Sequence, residues 1–124
     1  MKQVLIVDDS HTIRHEIAQA MTRAGFGVVE AEDGLVGLDR ARQQRFSVII
    51  LDVNMPRLNG LEMLEAMNAD AALPKVPVLL LTSEADRRLI DRARKAGAKG
   101  WLIKPASMTD LVATVKALIA REGT

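Results

Sequence analysis

The stretch Val48-Ile-Ile-Leu-Asp52 is an uninterrupted apolar run that stops at a carboxylate. Three other short apolar runs also stop at polar residues: Val4 to Val7 at Asp8 and Asp9, Val78 to Leu81 at Thr82 and Ser83, and Leu102 with Ile103 at Lys104. The carboxyl ends of parallel strands lie at one edge of a sheet, the edge where open α/β sheets bind ligands. If the four runs are parallel strands, their polar residues therefore collect at a single edge.

Strand-like and helix-like stretches alternate along the whole chain. The predicted strands are continuous apolar runs, as is typical of parallel strands covered on both faces: Gln3–Val7, Gly27–Ala31, Ser47–Leu51, Val76–Leu81 and Lys99–Ile103. Between them apolar residues recur at helical spacing: Ile13, Ile17, Ala20, Met21 and Ala24; Leu35, Leu38 and Ala41; Leu61, Leu64 and Met67; Leu89, Ala93 and Ala96; Leu111, Val115, Leu118 and Ile119. The chain is thus predicted to be an α/β protein of five strand–helix pairs.

Glycines and serines mark the boundaries of these predicted helices. The expected helix ends are Gly25, Gly97 and Gly100. Capping-box patterns, a serine followed three residues later by an acid, open two helices at Ser83 with Asp86 and at Ser107 with Asp110. These helix-boundary signals agree with the alternation of strands and helices.

Composition limits the classes of function. The 124 residues fit one domain, and 17 basic against 16 acidic side chains give a net charge of +1. No global field therefore favours nucleic acid or an anionic membrane, and neither is expected as a direct partner. Apolar runs are too short to span a bilayer, no signal peptide is visible, and cysteine is absent. We expect a soluble protein located in the cytoplasm.

Three acids would share one crevice if the first and third strands are neighbours, as they are in the sheet order 2-1-3-4-5. They are Asp8, Asp9 and Asp52. Two such charges about 4 Å apart repel by about 4 kcal/mol at an effective dielectric of 20. Mg²⁺ relieves this repulsion because it takes carboxylate oxygens as ligands. One carboxylate can then act as a nucleophile that forms an acyl phosphate, with Lys104 and the Thr82 hydroxyl on the phosphoryl oxygens.

Each of these residues also has a simpler structural interpretation. An Asp-Asp pair before a helix is often only an N-cap, and Thr82 can be one too. Lys104 before Pro105 is by itself most often a solvated lysine. Asp52 is harder to explain structurally, because an acid directly after Ser-Val-Ile-Ile-Leu lies at the mouth of a buried strand. The joint occurrence of these residues at four strand ends favours a functional site.

Five motifs, in this order and spacing, make the chain resemble a response-regulator receiver domain of the CheY-like kind over residues 3–120. They are Leu-Ile-Val-Asp-Asp at 5–9, Glu-Ala-Glu-Asp-Gly at 30–34, Leu-Asp-Val-Asn-Met-Pro at 51–56 with Asn59-Gly60, Leu-Thr-Ser at 81–83, and Lys-Gly-Trp-Leu-Ile-Lys-Pro at 99–105. The resemblance implies a flavodoxin-like (βα)5 three-layer sandwich with a parallel sheet of order 2-1-3-4-5. Residues 1–124 would then be a single receiver domain without an output domain.

The resemblance also implies the chemistry of the site. Asp52 would be the phosphoacceptor, taking a phosphoryl group from a phosphohistidine of a histidine kinase or phosphotransfer protein. Asp8, Asp9 and Asp52 would hold Mg²⁺ together with the main-chain carbonyl of Asn54, and Lys104 would bind the phosphate. The protein would be a regulator that assists its own phosphorylation and dephosphorylation, not an enzyme in the ordinary sense.

Further residues are assigned to the response by the same resemblance. Thr82 would be the switch hydroxyl that moves toward the phosphate, and Trp101 the aromatic that turns inward behind it. An alternative is that the bulky indole stays partly exposed and packs on the fourth helix. Asn54, Ser83 and Glu84 stand where the family tunes the lifetime of the phosphate.

The expected output surface is the face formed by the fourth helix, the fifth strand and the fifth helix, which would bind a separate protein in chemotaxis, motor control or a phosphorelay. The fourth helical stretch is strongly basic, so an acidic partner segment is expected there. Its basic residues are Arg87, Arg88, Arg92, Arg94 and Lys95. We expect a monomer that can dimerise on phosphorylation.

Other classes of protein remain as alternatives. The chain could be a receiver fragment of a larger multidomain regulator. A phosphatase with an aspartate nucleophile would want a second acid two residues after it, where this chain has Asn54. A nucleotide-binding domain would want a glycine-rich loop after the first strand, where Asp9-Ser10-His11 stands. A scaffolding pseudo-receiver should have lost part of the constellation, which is complete here.

Overall fold

Five strands alternate with five helices in the computed structural model, which describes residues 1–55, 57–83 and 87–122. The strands are β1 (Gln3–Val7), β2 (Gly27–Ala31), β3 (Val48–Asp52), β4 (Val78–Thr82) and β5 (Gly100–Ile103). The helices are α1 (His11–Arg23), α2 (Gly34–Gln43), α3 (Gly60–Ala69), α4 (Arg87–Lys95) and α5 (Met108–Glu122). No helix in these described ranges is long and apolar enough to cross a bilayer.

The strands form one parallel sheet in the order β2-β1-β3-β4-β5, which confirms the predicted topology. β1 lies between β2 and β3, with Val7 opposite Leu51 in the register. The predicted ends of β3 and β4 each fell one residue short, because Asp52 pairs with Leu81 and Thr82 pairs with Ile103. The two polar residues are thus the last members of their strands, held by the sheet ladder itself.

The glycine prediction is confirmed at two positions and wrong at the third. Gly25 and Gly97 follow α1 and α4 with φ angles of +96° and +99°, a backbone conformation that glycine adopts without steric penalty. Gly100, predicted to end a helix, is instead the first residue of β5, where it pairs with Leu79. An edge strand accepts a glycine there because little side-chain packing is lost.

The predicted capping boxes have different outcomes. At α5, the Asp110 amide donates to Ser107 Oγ at 3.0 Å, which is the serine half of the pattern. The pattern of Ser83 with Asp86 lies partly outside the described residues. A complete box that the sequence analysis did not identify opens α3, where Asn59 and Glu62 accept from each other's amides at 2.8 and 3.0 Å.

Alternate residues of each central strand pack on opposite faces of the sheet, which produces two cores and three layers. One core joins the sheet to α2, α3 and α4. Its central members include Leu5, Val7, Ile49, Leu51, Leu80, Leu61, Met63 and Ala93. The other core joins the sheet to α1 and α5, and includes Val4, Ile6, Ile50, Leu79, Leu81, Ile17, Met21, Leu111 and Val115.

Burial falls from the centre of the sheet to its edges. β3 and β4 are buried throughout, whereas most residues of β2 and β5 are only half-buried. Ile13 and Leu35 match the helical periodicity, yet their relative exposures are 38% and 48%. Both lie in the first turn of their helices, which projects beyond the end of the sheet, so the sheet does not cover them.

The start of α3 packs directly against the end of β3. A Cβ atom built on Gly60 would lie 2.1 Å from the carbonyl oxygen of Asp52. The Gly60 amide donates to the carbonyl of Val53 at 3.0 Å across the same contact. Only glycine permits this approach, because any side chain would collide with backbone that cannot move aside.

Gly60→Ala is expected to lower the free energy of unfolding by about 1 to 3 kcal/mol, as overpacking does. In an open helix the same change would stabilise the protein by about 1 kcal/mol, so the sign of the effect tests the contact. Urea unfolding followed by circular dichroism measures it.

Gly100→Ala is the matched control. A Cβ atom at position 100 would lie 3.3 Å from its nearest neighbour, the side-chain atom Leu79 Cδ1. The free energy of unfolding should therefore change by less than about 1 kcal/mol. Equal losses at both positions would contradict the interpretation of Gly60.

Candidate functional site

The three predicted acids come together at the carboxyl edge of the sheet. Asp8 directly follows β1 and Asp52 ends the neighbouring strand β3, so pairing of these strands brings their carboxylates close. One carboxylate oxygen from each of Asp8, Asp9 and Asp52 lies within 4.8 Å of the others. Asp8 and Asp52 are buried, whereas Asp9 is exposed. The site is therefore an acidic pocket with one side open to solvent.

Asp8 is buried without full hydrogen bonding. Its Oδ1 accepts from the Ser10 amide at 2.8 Å, but its buried Oδ2 has no hydrogen-bond partner among the described residues. Burial raises the pKa of Asp8 above its ordinary value, with the charges of Asp52 and Asp9 adding to the rise; the Ser10 amide and Lys104 oppose it. Ionised Asp8 is thus held in an unfavourable environment.

Lys104 provides the positive charge that faces these acids. Its Nζ lies 2.7 Å from Asp52 Oδ1, which makes an ion pair with Asp52 buried and Lys104 26% exposed at its side chain.

Thr82 and Lys104 are coupled through the backbone. Thr82 is 1% exposed at the end of β4, and its carbonyl accepts the Lys104 amide at 2.8 Å. The Lys104–Pro105 peptide bond is cis. The predicted switch residue and the predicted phosphate ligand are thus joined at the end of β4 and β5, as the sequence analysis required.

Two of the predicted modulators lie at the mouth of the pocket. Asn54 and Ser83 are exposed, and the Asn54 side-chain amide donates to Ser83 Oγ at 3.3 Å. This bond joins the loop after β3 to the loop after β4. The third predicted modulator, Glu84, lies outside the described residues.

Trp101 is half-buried in β5, where it packs against the core on the α2–α4 side of the sheet. The guanidinium carbon of Arg94, on α4, lies 5.4 Å from the centre of the ring. Such a cation–π contact contributes about 0.5 to 1 kcal/mol at an exposed site. The indole thus occupies the partly exposed position packed on the fourth helix that the sequence analysis gave as its alternative.

Two arginine contacts at the edge of the pocket were not found from the sequence. Arg14 donates to the Asp8 carbonyl at 2.7 Å and to Glu30 Oε1 at 3.0 Å, joining the acidic loop to β2. Arg57 forms an ion pair with the buried carboxylate of Asp33. Both arginines bond residues distant in sequence, so no local pattern indicates them.

The acidic pocket fits a hard divalent cation. Mg²⁺ takes oxygen ligands and is usually held by one or two carboxylates with water and phosphate oxygens completing the shell. Asp8 Oδ2 is a buried oxygen without a hydrogen-bond partner in the described part of the chain, and the open side next to Asp9 leaves access from solvent. The donor set and its unsatisfied oxygen match this chemistry.

A parallel sheet of order 2-1-3-4-5 with acids, a lysine and a threonine at its carboxyl edge defines a class: the receiver domains of two-component signalling systems. A model of the family described as response regulator receiver domain matches residues 4–116. The chain therefore belongs to the response-regulator receiver domains, and it is CheY-like. Domains of this family are signalling modules that generally bind Mg²⁺ at an acidic pocket and interact with histidine kinases or phosphotransfer proteins and with downstream targets.

Proteins similar to this chain are known from Vibrio cholerae and Mycobacterium tuberculosis. The chain is 36% identical over 110 residues to chemotaxis protein CheY-3 of Vibrio cholerae, covering 88% of this chain and 85% of that protein. It is 34% identical over 121 residues to transcriptional regulatory protein PdtaR of Mycobacterium tuberculosis, covering 97% of this chain and 58% of that protein. The solved structure of Vibrio cholerae CheY4 superposes with a TM-score of 0.89 at 37% identity, covering 95% and 98% of the two chains.

Asp8→Asn is expected to stabilise the metal-free protein at about pH 7 by about 1 kcal/mol, because it removes a buried charge next to two other acids. The pKa of Asp8 is raised on folding, so the folded chain binds this proton more tightly than the unfolded chain does. The stability that the proton provides is present below the ordinary pKa and is lost as pH rises through the raised value. The advantage of the variant should therefore shrink as pH falls towards about 4.

Urea unfolding in the presence of a chelator, at several pH values and constant ionic strength, measures this difference. Asp9→Asn is the control, and its effect should be smaller because Asp9 is exposed. If the metal-free Asp8→Asn protein were less stable than the wild type at neutral pH, ionised Asp8 would not lower the free energy of unfolding, and the prediction would be wrong.

Proposed function

We propose that this receiver domain is switched on by transfer of a phosphoryl group to Asp52. The observation that carries the proposal is the buried Asp52 carboxylate, which lies 2.7 Å from the Lys104 ammonium and within 4.8 Å of Asp8 and Asp9 oxygens. A buried acid next to two other acids is a poor structural element, because the other two acids repel it and one lysine offsets only part of the charge. The same arrangement suits the capture of a phosphoryl group.

The proposed step is an in-line displacement at phosphorus. A carboxylate oxygen of Asp52 donates an electron pair to the phosphorus of a phosphohistidine on the partner protein. The phosphorus–nitrogen bond breaks, its electrons stay on the imidazole, and the product is an acyl phosphate on Asp52. Because the attacking group is a carboxylate, which has no proton to lose, the step needs no base to activate it.

Asp8, Asp9 and Asp52 would hold Mg²⁺, together with the main-chain carbonyl of Asn54. When bound, this ion supplies positive charge that offsets the phosphoryl oxygens and the acids around them. Lys104, now paired with Asp52, would also bind a phosphoryl oxygen. Thr82, joined to Lys104 through the backbone, would turn its hydroxyl to the phosphate, while Asn54, Ser83 and Glu84 at the mouth would set access for water.

An apolar rim around the pocket supports docking of the phosphodonor there. Apart from Met1, the exposed large hydrophobic residues of the described chain are Ile13, Leu35 and Ile103. They lie at the start of α1, at the start of α2 and at the end of β5, so all three stand at the carboxyl edge of the sheet. A histidine kinase or phosphotransfer protein that covers this rim would bring its phosphohistidine to Asp52.

The proposed output surface is the α4–β5–α5 face. Inward movement of Trp101 would break its contact with Arg94 and change the surface beside α4. This helix carries five basic residues and one acid, so the downstream target would present an acidic segment. The domain would act as a monomer or as a dimer formed on phosphorylation, in chemotaxis, motor control or a phosphorelay.

Incubation with Mg²⁺ and a small acyl-phosphate donor is expected to add one phosphoryl group to the wild-type protein, since the site itself assists the transfer. Asp52→Asn should add none, and a chelator should prevent the reaction. Intact mass spectrometry measures the product, and its loss in hydroxylamine identifies an acyl phosphate.

Asp39→Asn serves as the control, because Asp39 is an exposed acid on α2 and its loss should leave phosphorylation unchanged. If the Asp52→Asn protein were phosphorylated to the same extent as the wild type, the proposed function would be wrong.

Phosphorylation is expected to shift the emission of Trp101, the single tryptophan, to shorter wavelength and to reduce its quenching by acrylamide. The reason is that the indole would leave its partly exposed position and become buried. Steady-state fluorescence of protein shown by mass to be phosphorylated measures the change. The Asp52→Asn protein with the same donor is the control, and an unchanged spectrum in the phosphorylated wild type would reject the inward movement.

A further inference from the structure

The loop from Val53 to Asn59 contains a backbone conformation that is unusual for its residue. Arg57 has a φ angle of 65°, and it is the one residue other than glycine with positive φ in residues 1–55, 57–83 and 87–122. A side chain in this region is disfavoured sterically and persists only where surrounding contacts hold it. The contacts of Arg57 should therefore show what holds the loop in this conformation.

Arg57 is held by a buried carboxylate at the start of α2. Its Nε donates to Asp33 Oδ2 at 2.8 Å, and a second guanidinium nitrogen contacts the same oxygen. The other oxygen, Oδ1, accepts the Val36 amide at 3.0 Å and so caps α2. Asp33 is 4% exposed, which shields this pair from solvent on the carboxylate side. The two oxygens of Asp33 thus have separate roles, since one caps the helix and the other holds the loop.

A second contact presses the same loop against α2. The Gly34 amide donates to the carbonyl of Leu58 at 3.1 Å. A Cβ atom at position 34 would lie 2.4 Å from that carbonyl oxygen, so the two backbones are in direct contact. The middle of the loop is therefore fixed to α2 by a side chain and by the backbone.

The remaining part of the loop is the segment next to the phosphorylation site. The Asn59–Glu62 capping box fixes the far end of the loop, and the bond from the Gly60 amide to the Val53 carbonyl joins its two ends. Asn54, exposed near the beginning of the loop, is joined by its side chain to Ser83 at 3.3 Å. The Asn54 backbone lies between the bonds at Val53 and the contacts of Arg57 and Leu58 with α2, so both sets of contacts limit its position.

We propose that Arg57 is a positioning residue: its ion pair with Asp33 holds the loop so that the Asn54 carbonyl faces the acidic pocket and contributes to Mg²⁺ binding. This role rests on the proposed function of the pocket. Arg57 does not touch the phosphoryl group or the metal in this scheme. It acts through the backbone of its own loop.

The charge state of Asp33 supports a permanent contact. Burial alone would raise the pKa of Asp33, but the amide bond from Val36 and the contacts with Arg57 outweigh it and lower the pKa below its ordinary value. The carboxylate is thus ionised throughout the neutral range, and the ion pair persists whenever the domain is exposed to its donors.

Calorimetric titration of the 124-residue chain with MgCl₂ tests the role of Arg57. Arg57→Ala is expected to weaken Mg²⁺ binding about tenfold, as the loss of residues that orient metal ligands commonly does. At saturating Mg²⁺ the rate of phosphorylation by a small acyl-phosphate donor should stay within about twofold of wild type, because the reacting groups are unchanged. Circular dichroism and thermal unfolding with a chelator establish that each variant is folded.

Two further substitutions separate the ion pair from the backbone conformation. Arg57→Gly suits the positive φ angle better than any other residue, yet it should lose Mg²⁺ affinity like Arg57→Ala because the ion pair is gone. Arg57→Lys keeps the charge without the forked geometry and should recover part of the loss.

The matched control is Arg92→Ala. Arg92 donates to both oxygens of Glu65 at 2.9 and 2.6 Å, joining α4 to α3 away from the loop. Its removal breaks another arginine–carboxylate ion pair, one that is exposed on both sides, and Mg²⁺ affinity should stay within about twofold of wild type.

A double-mutant cycle identifies Asp33 as the partner. Asp33→Asn retains a side-chain oxygen for the Val36 amide but loses the charge, so it should weaken Mg²⁺ binding as Arg57→Ala does. The double variant should be no weaker than either single variant, because both changes remove one interaction.

The outcomes distinguish this role from the proposed function. A wild-type protein that binds no Mg²⁺ would overturn both. A wild-type protein that binds Mg²⁺, with Arg57→Gly binding it within about twofold, would overturn the positioning role alone. A tenfold loss in Arg92→Ala would also overturn it, because the effect would then follow from any broken ion pair.

Discussion

The pairing of β1 with β3 is the constraint on which the site depends. In this register Val7 lies opposite Leu51, so the residues that follow, Asp8 and Asp52, become neighbours although they are far apart in sequence. β1 and β3 are both interior strands of the sheet, with β3 at its centre, and both are buried on two faces. β4 then places Thr82 beside the end of β3, and β5 delivers Lys104. Strand order alone thus assembles the chemistry.

Bringing these acids together is electrostatically unfavourable, and burial of apolar side chains in the two cores offsets the cost. Two carboxylates about 4 Å apart repel by about 4 kcal/mol at an effective dielectric of 20. Fully burying one aliphatic side chain contributes about 1.5 to 3 kcal/mol, and each central strand buries four or five residues. The repulsion energy of the acidic pocket is therefore comparable to the free energy gained by burying two aliphatic side chains of β3. A fold with two cores can carry such a site, and charge neutralisation at the pocket stabilises the whole domain.

The sequence was sufficient to predict the five strands and the polar residues at or just after their ends, because apolar runs with polar terminators are a local pattern. The strand order came from the resemblance to receiver domains. It was insufficient where the outcome depends on distant contacts. The bond of Arg57 to Asp33 joins residues 24 apart and requires a left-handed loop residue that no propensity indicates. Gly100 was misplaced because glycine is equally compatible with a helix end and an edge strand. The Asn59–Glu62 capping box was readable, since it follows the same spacing as the patterns recognised at Ser83 and Ser107.

The contact between Gly60 and the Asp52 carbonyl makes the molecule mechanically uneven around its site. On that side, backbone meets backbone, and the end of β3 and the start of α3 move as one body. On the other side of the sheet edge, β5 is half-buried, and its Trp101 contacts Arg94 of α4. β4 separates Asp52 from β5, which is the less buried strand. We therefore expect a structural change at the carboxyl edge of the sheet to displace β5 more readily than the start of α3.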